Sequence, residues 1–289
     1  MRNAVIVSLA LTALCLLPLA GAQEEPPKIL YLTKSVDFEH SPVREENGAP
    51  SLSAKILSKL ADQLGAEITC TKDASVINKE NLANYDLVMF YTQGDLTQAG
   101  GLDNSPGMPA TGVQDLVDWI KAGGGFIGFH SATDTFDTDD PEPAPYIQMI
   151  GAEFRGHGGQ FAGEVTVVDP DHPTMANFPK NWTLNEEWYL FRKFNAANIR
   201  VLALMDPGAE RAKQEAYNIP AYPVVWVRQL GDGRIYSTAL GHREDVWANP
   251  KFQKVTLDAM EWALGKGPAD AQSNFVEVVP KEIPAAESK

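Results

Sequence analysis

One stretch constrains this chain more than any other: Gly123-Gly124-Gly125-Phe126-Ile127-Gly128-Phe129-His130-Ser131-Ala132-Thr133-Asp134. Its first glycines stop a helix, and the apolar run after them reads as a buried parallel strand. The polar cluster that ends the run carries a histidine. Ligands of open α/β sheets bind beyond the carboxyl ends of the strands, so His130 is expected at the rim of a site. Gly123, Gly125 and Gly128 also match G-x-G-x-x-G. A dinucleotide fingerprint needs those glycines between a strand and the helix it feeds, whereas here they enter the strand. No nucleotide cofactor is expected.

The start of the chain bears on where it works. Residues 1–22 hold one basic residue, Arg2, then an apolar run from Ala4 to Leu17 and a small-residue close, Ala20-Gly21-Ala22. This is the pattern of a secretory signal cleaved after Ala22, and the run is short for a membrane span. An exported protein is expected, periplasmic or extracellular, with no membrane attachment after cleavage. Cys15 leaves with the signal, so Cys70 remains alone, no intrachain disulfide can form, and stability rests on the apolar core. The formal charge of -14 argues against nucleic acid and anionic membranes as partners. Oligomeric state is left open.

After a leader, 23–27, the chain reads as one domain over 28–267 and a tail rich in Pro, Ala and charge over 268–289. Lys28 to Thr33, Ala66 to Thr71 and Asp86 to Tyr91 read as strands. Ser51 to Leu64 and Gly112 to Ala122 read as amphipathic helices. Strand and helix in alternation predict a doubly wound, mostly parallel sheet. Thr92 to Pro109 is glycine-rich and reads as a mobile loop. Later come a short helix at Pro145 to Ile150, strands at Gly163 to Val168 and Arg200 to Met205, and the segment Trp182 to Phe191. Gly231-Asp232-Gly233 marks a β-hairpin between Tyr222–Leu230 and Arg234–Leu240. A helix starting at Pro250 closes the domain.

Three histidines share a context. His130 follows a predicted strand, His157 sits between glycines and His242 ends a predicted strand. Histidine serves as base, acid or metal ligand near neutral pH, although unconnected loop histidines would look the same. No HExxH, Cys-x-x-Cys or helical histidine pair indicates a metal directly. His172, inside an Asp-His-Pro turn, is assigned to structure.

The blocks GGGFIGFHSATDTF, PYIQMIGAEFRGHG, DHP, NEEWY and STALGHREDVWANPKF, in this order, resemble the ThuA-like family, named for trehalose utilisation. The resemblance covers roughly Lys28 to Gly265. It implies a flavodoxin-like sheet of the class I glutamine amidotransferase type and a link to sugar metabolism. Hydrolytic members of that superfamily carry a cysteine on the turn where this chain has Phe129-His130-Ser131. Cys70 falls in a predicted strand, and Ser131 lacks a G-x-S-x-G setting and reads as a cap, so amidotransferase chemistry is not expected.

What the resemblance suggests instead is action on disaccharides or their 3-keto forms, by elimination or hydrolysis. A ketone at sugar carbon 3 acidifies the proton at carbon 2, and the site then needs a base, a proton donor and a group to hold the enolate. His130, His242 and Glu187 are the catalytic candidates. His130, His157 and His242 are the candidate ligands of a divalent metal, zinc by donor chemistry. His40, Asp134, Arg155, Trp188, Tyr189 and Glu244 are the candidates for holding a small sugar. Two other functions remain: a non-catalytic carbohydrate-binding module, or a glycoside hydrolase using paired carboxylates among Glu186, Glu187 and Glu244.

Overall fold

The computed structural model describes residues 25–282. The expected signal segment, the first leader residues and the end of the tail lie outside the described residues. In chain order the strands are β1 (Lys28–Leu32), β2 (Glu67–Thr71), β3 (Leu87–Phe90), β4 (Gly125–Phe129), β5 (Glu153–Gly156), β6 (Phe161–Val167), β7 (Asn181–Glu186), β8 (Leu190–Arg192), β9 (Arg200–Asp206), β10 (Tyr222–Leu230) and β11 (Gly233–Thr238). The helices are α1 (Leu52–Leu64), α2 (Lys79–Leu82), α3 (Gly112–Lys121), α4 (Pro145–Ile150), α5 (Glu244–Trp247), α6 (Pro250–Ala263) and α7 (Phe275–Val278). None of these helices is long and apolar enough to cross a membrane.

Nine strands form one sheet in the order β2-β1-β3-β4-β11-β10-β9-β6-β7. From β2 to β11 every pairing is parallel; from β11 to β7 every pairing is antiparallel. The fold is α/β, with a flavodoxin-like parallel half and an antiparallel extension. The expected hairpin is the junction between the two: its second arm, β11, is the last parallel strand. Gly231 turns it with φ +61°, and a Cβ there would stand 2.5 Å from the Lys121 carbonyl.

Residues alternate between two cores because successive side chains of a strand point to opposite faces. Ile29 and Tyr31 of β1, Leu87 and Met89 of β3, and Ile127 and Phe129 of β4 pack with α1 and α6. Leu30 and Leu32, Val88 and Phe90, and Phe126 face α3 and α4 on the other side. Each fully buried aliphatic or phenyl side chain contributes about 1.5–3 kcal/mol. The parallel strands therefore read as continuous apolar runs.

Two segments differ from the sequence reading, and a third, left unassigned there, takes a definite form. The loop 92–109 is pinned: the wholly buried Lys34 ammonium donates to the carbonyls of Gly100 and Ser105, each at 3.0 Å, with Asp103 at 3.7 Å. Trp182 to Phe191 is two strands, β7 and β8, and β8 pairs with β5 in a small separate sheet. In the expected tail, Asn274 makes two hydrogen bonds to the backbone of Val201, at 2.7 and 3.0 Å, docking α7 against β9.

Candidate functional site

Strand direction assembles the site. β4 and β11 are parallel neighbours, so His130, directly after β4, and His242, four residues beyond β11, arrive at one edge of the sheet. β7 runs in the same sense after an even number of antiparallel reversals, and it delivers Glu186 and Glu187 there. The loop after β1 brings His40. One ligand atom from each of His40, His130, Glu187 and His242 lies within 4.8 Å of the others.

His130 opens a short 3-10 turn at φ +41°, in the left-handed region that is uncommon for residues other than glycine, with Asn, Asp and His enriched there. Gly128 leaves room beneath this turn: a Cβ there would stand 3.2 Å from the Ala132 Cβ of the turn and 2.8 Å from the side-chain tip of Ile150 in α4. The His130 ring is fully buried, and its Nδ1 stands 2.8 Å from the Ala239 carbonyl. A carbonyl only accepts, so Nδ1 carries the proton and Nε2 keeps a free lone pair. Tyr189 packs on this ring with centroids 3.9 Å apart.

His130 Nε2, His242 Nδ1 and Glu187 Oε2 form a triangle with sides of 3.3, 3.0 and 3.6 Å. Burial pulls the His40 imidazole well below its ordinary pKa, helped by the neighbouring His130 and His242. Burial lowers His130 as well, against the opposing pull of Glu187. Both are therefore neutral near pH 7 and offer lone pairs. Burial alone would raise the Glu187 carboxyl, but its contacts with His130 and His242 hold it well below the usual carboxylate range.

Arg243 Nη1 donates to Gln160 Oε1 at 2.8 Å. The amide nitrogen of Gln160 is thereby turned to His242 Nε2, 3.0 Å away. An amide nitrogen only donates, so Nε2 of His242 accepts and Nδ1 carries the proton toward Glu187. Glu186 is the residue that the sequence reading missed as an anchor. Its Oε1 accepts from the backbone N–H groups of Gly241 and His242 at 2.7 and 2.6 Å, which fixes the turn carrying His242. Burial pushes its carboxyl up to about 8 despite those two bonds.

The donor set suits a divalent ion. Zinc takes imidazole nitrogen and carboxylate oxygen at about 2.0–2.2 Å, and a tetrahedral shell at that radius has edges of about 3.3–3.6 Å. The observed triangle is close to such a face. The His130–Ala239 bond is the outer contact that typically orients a ligating imidazole.

Several expected residues fall elsewhere. His157 is outside the metal-competent group and His40 takes its place; His157 is exposed, with Nδ1 3.4 Å from Glu187 Oε1 and 2.9 Å from the Gly158 carbonyl. Trp188 is a core residue, not a sugar contact: it is fully buried, donates to the Phe161 carbonyl at 3.0 Å, and lies against Gly163, where a Cβ would stand 2.8 Å from it. Tyr189 belongs to the site, but its ring is buried between His130 and Phe154. Its hydroxyl reaches His40 Nε2 at 3.3 Å. Arg155 and Glu244 are exposed; Arg155 makes no hydrogen bond or ion pair with the cluster, and the nearby Ser41 hydroxyl lowers the Glu244 carboxyl. Asp134 accepts from Gln93 Nε2 at 3.1 Å, and burial pushes its carboxyl up to about 7. His172 is structural, buried with Nδ1 2.9 Å from Thr174 Oγ1. Cys70 is exposed on the edge strand β2.

A family model described as ThuA, trehalose utilisation, matches residues 28–263. Among solved structures, a ThuA-like protein from Bacteroides uniformis is similar at 17% identity and a TM-score of 0.65, over 87% of this chain and 98% of that one. A ThuA-like protein from Parabacteroides merdae is similar at 18% identity and a TM-score of 0.63, over 86% and 95% of the two chains. No curated protein sequence matches.

Proposed function

We propose, from the premise that this chain belongs to the ThuA family, described as trehalose utilisation, that it is an enzyme acting on disaccharides or their 3-keto forms. The observation that carries this reading is the convergence of His40, His130, Glu187 and His242 on one point at the carboxyl edge of the sheet. A divalent ion held by these four side chains, zinc by their donor chemistry, would supply Lewis acidity toward a ketone oxygen.

The residues around it can move the protons. In the elimination, a base takes the proton at carbon 2, a double bond forms between carbons 1 and 2, the carbon 1–oxygen bond breaks, and the departing oxygen takes a proton. Water then adds across the double bond. His157, exposed beside Glu187, is the base we assign. Asp134, whose carboxyl holds its proton until about pH 7, is the donor. A carboxyl near neutral pKa can give and retake a proton at working pH.

The paired-carboxylate alternative gains no support from these contacts. Glu186 is buried and occupied by two backbone amides, and Glu244 is exposed, opening α5 beyond His242. The signal-like residues 1–22 support export as part of the proposal, and the negative charge supports a sugar rather than a nucleic acid as partner. The test is cleavage of a 3-keto disaccharide against its 3-deoxy analogue by metal-loaded protein. Elimination predicts turnover of the first alone; equal cleavage of both would overturn it, and sugar binding with no cleavage would leave a binding module.

A further inference from the structure

We propose that the exposed ring of Phe38 is a stacking platform for one pyranose ring of a bound disaccharide, forming a sugar subsite beside the histidine cluster. This rests on the carbohydrate reading above. Among the described residues three large apolar side chains are exposed, Phe38, Leu102 and Val276. Phe38 is the aromatic one, 54% exposed. It is also the one that touches the cluster: its ring stands edge-on to His40 with centroids 4.8 Å apart.

The ring is exposed on a braced backbone. The N–H groups of Asp37 and Phe38 both donate to Gln93 Oε1 at 2.9 Å. Gln93 in turn donates through Nε2 to Asp134, in the turn that begins at His130. On the other flank the backbone of Ser35 and Val36 presses so close to Gly101 that a Cβ there would stand 2.8 Å from the Ser35 carbonyl. An aromatic face already fixed at a site's mouth loses little conformational freedom when a ligand covers it.

The chemistry of the two faces matches. A pyranose presents a face of C–H bonds and a rim of hydroxyls. An aromatic ring offers a flat apolar surface with a negative face to the first, and sugar hydroxyls then point toward polar groups such as Asp134. Carbohydrate sites need such an apolar wall together with a few convergent polar groups. A monosaccharide reaching the histidines would cover one ring position; a disaccharide has a second ring for Phe38.

The test is binding of trehalose and 3-keto-trehalose by calorimetry to metal-loaded wild type, Phe38→Ala and Phe38→Trp, with zinc uptake as the control for an intact cluster. The expected result is a dissociation constant about tenfold weaker for Phe38→Ala, restoration by Phe38→Trp, and equal zinc uptake in all three. Unchanged affinity in Phe38→Ala would overturn the subsite. So would equal weakening in both variants. Cleavage is measured separately: wild type that binds sugar without turnover defeats the enzymatic reading, while the affinities still decide the role of Phe38. Wild type that binds neither sugar overturns both.

Discussion

His130 Nε2 and His242 Nδ1 stand 3.3 Å apart across 112 residues of sequence. Two lone pairs cannot face each other at that distance without repulsion, so one nitrogen holds a proton or both share a cation. In this structure the proton is on His242, fixed there by Gln160 and shared with Glu187. A metal ion in the same position would have to displace it.

An ion at His242 Nδ1 requires the neutral ring to pass its proton to Nε2, so uptake is expected to release few protons at neutral pH, with release rising and affinity falling as lower pH protonates the histidines. Titration of metal-free protein with zinc in buffers of different ionisation enthalpy measures this. Release and affinity that do not change with pH would mean that the histidines bind no ion.

Gln160→Glu should tighten metal binding by about tenfold or more. A carboxylate accepts from His242 Nε2–H, which moves the ring proton away from Nδ1 and frees that lone pair. Competition against a zinc chelator reads the change. Equal affinity would show that the tautomer is not set from this side.

Much of the site was legible because its residues end strands. His130 and His242 follow apolar runs, and parallel pairing of those runs brings their ends together. His40 was ranked below His157 because each sits in a loop, and sequence does not say which loop folds inward. His40 precedes Pro42, buried under α1 with Val43, whereas His157 stays on a glycine-flanked rim. Glu186 was hidden by its own periodicity: in β7 it holds the third inward position after Trp182 and Leu184, where an apolar residue is expected. The loop 92–109 looked mobile because its anchor, Lys34, is a lysine, the type least expected at full burial.

Lys34→Met should free that loop. It removes the ammonium and leaves the buried Asp103 carboxylate short of a partner, at a cost of about 3–5 kcal/mol. Denaturant unfolding measures the loss, and hydrogen exchange should rise first at residues 100–105. A variant as stable as wild type would remove Lys34 as the anchor.

His172 should make the fold acid-sensitive. Burial, its largest influence, lowers its folded pKa to about 4 from an ordinary 6.5. Above 6.5 neither state is charged and the stability is fully present. Between about 6.5 and 4 the unfolded chain binds a proton that the folded one refuses. Stability then falls with pH by at most about 1.4 kcal/mol per unit. His172→Gln should flatten that part of a stability profile; an unchanged slope would assign the acid sensitivity to other groups.

The most direct test of the cluster as a metal-competent site is zinc binding by calorimetry to metal-free wild type and His130→Ala. Wild type is expected to bind one ion per chain, and the variant at least about a hundredfold more weakly. Equal binding by both proteins, or no binding by wild type, would contradict it.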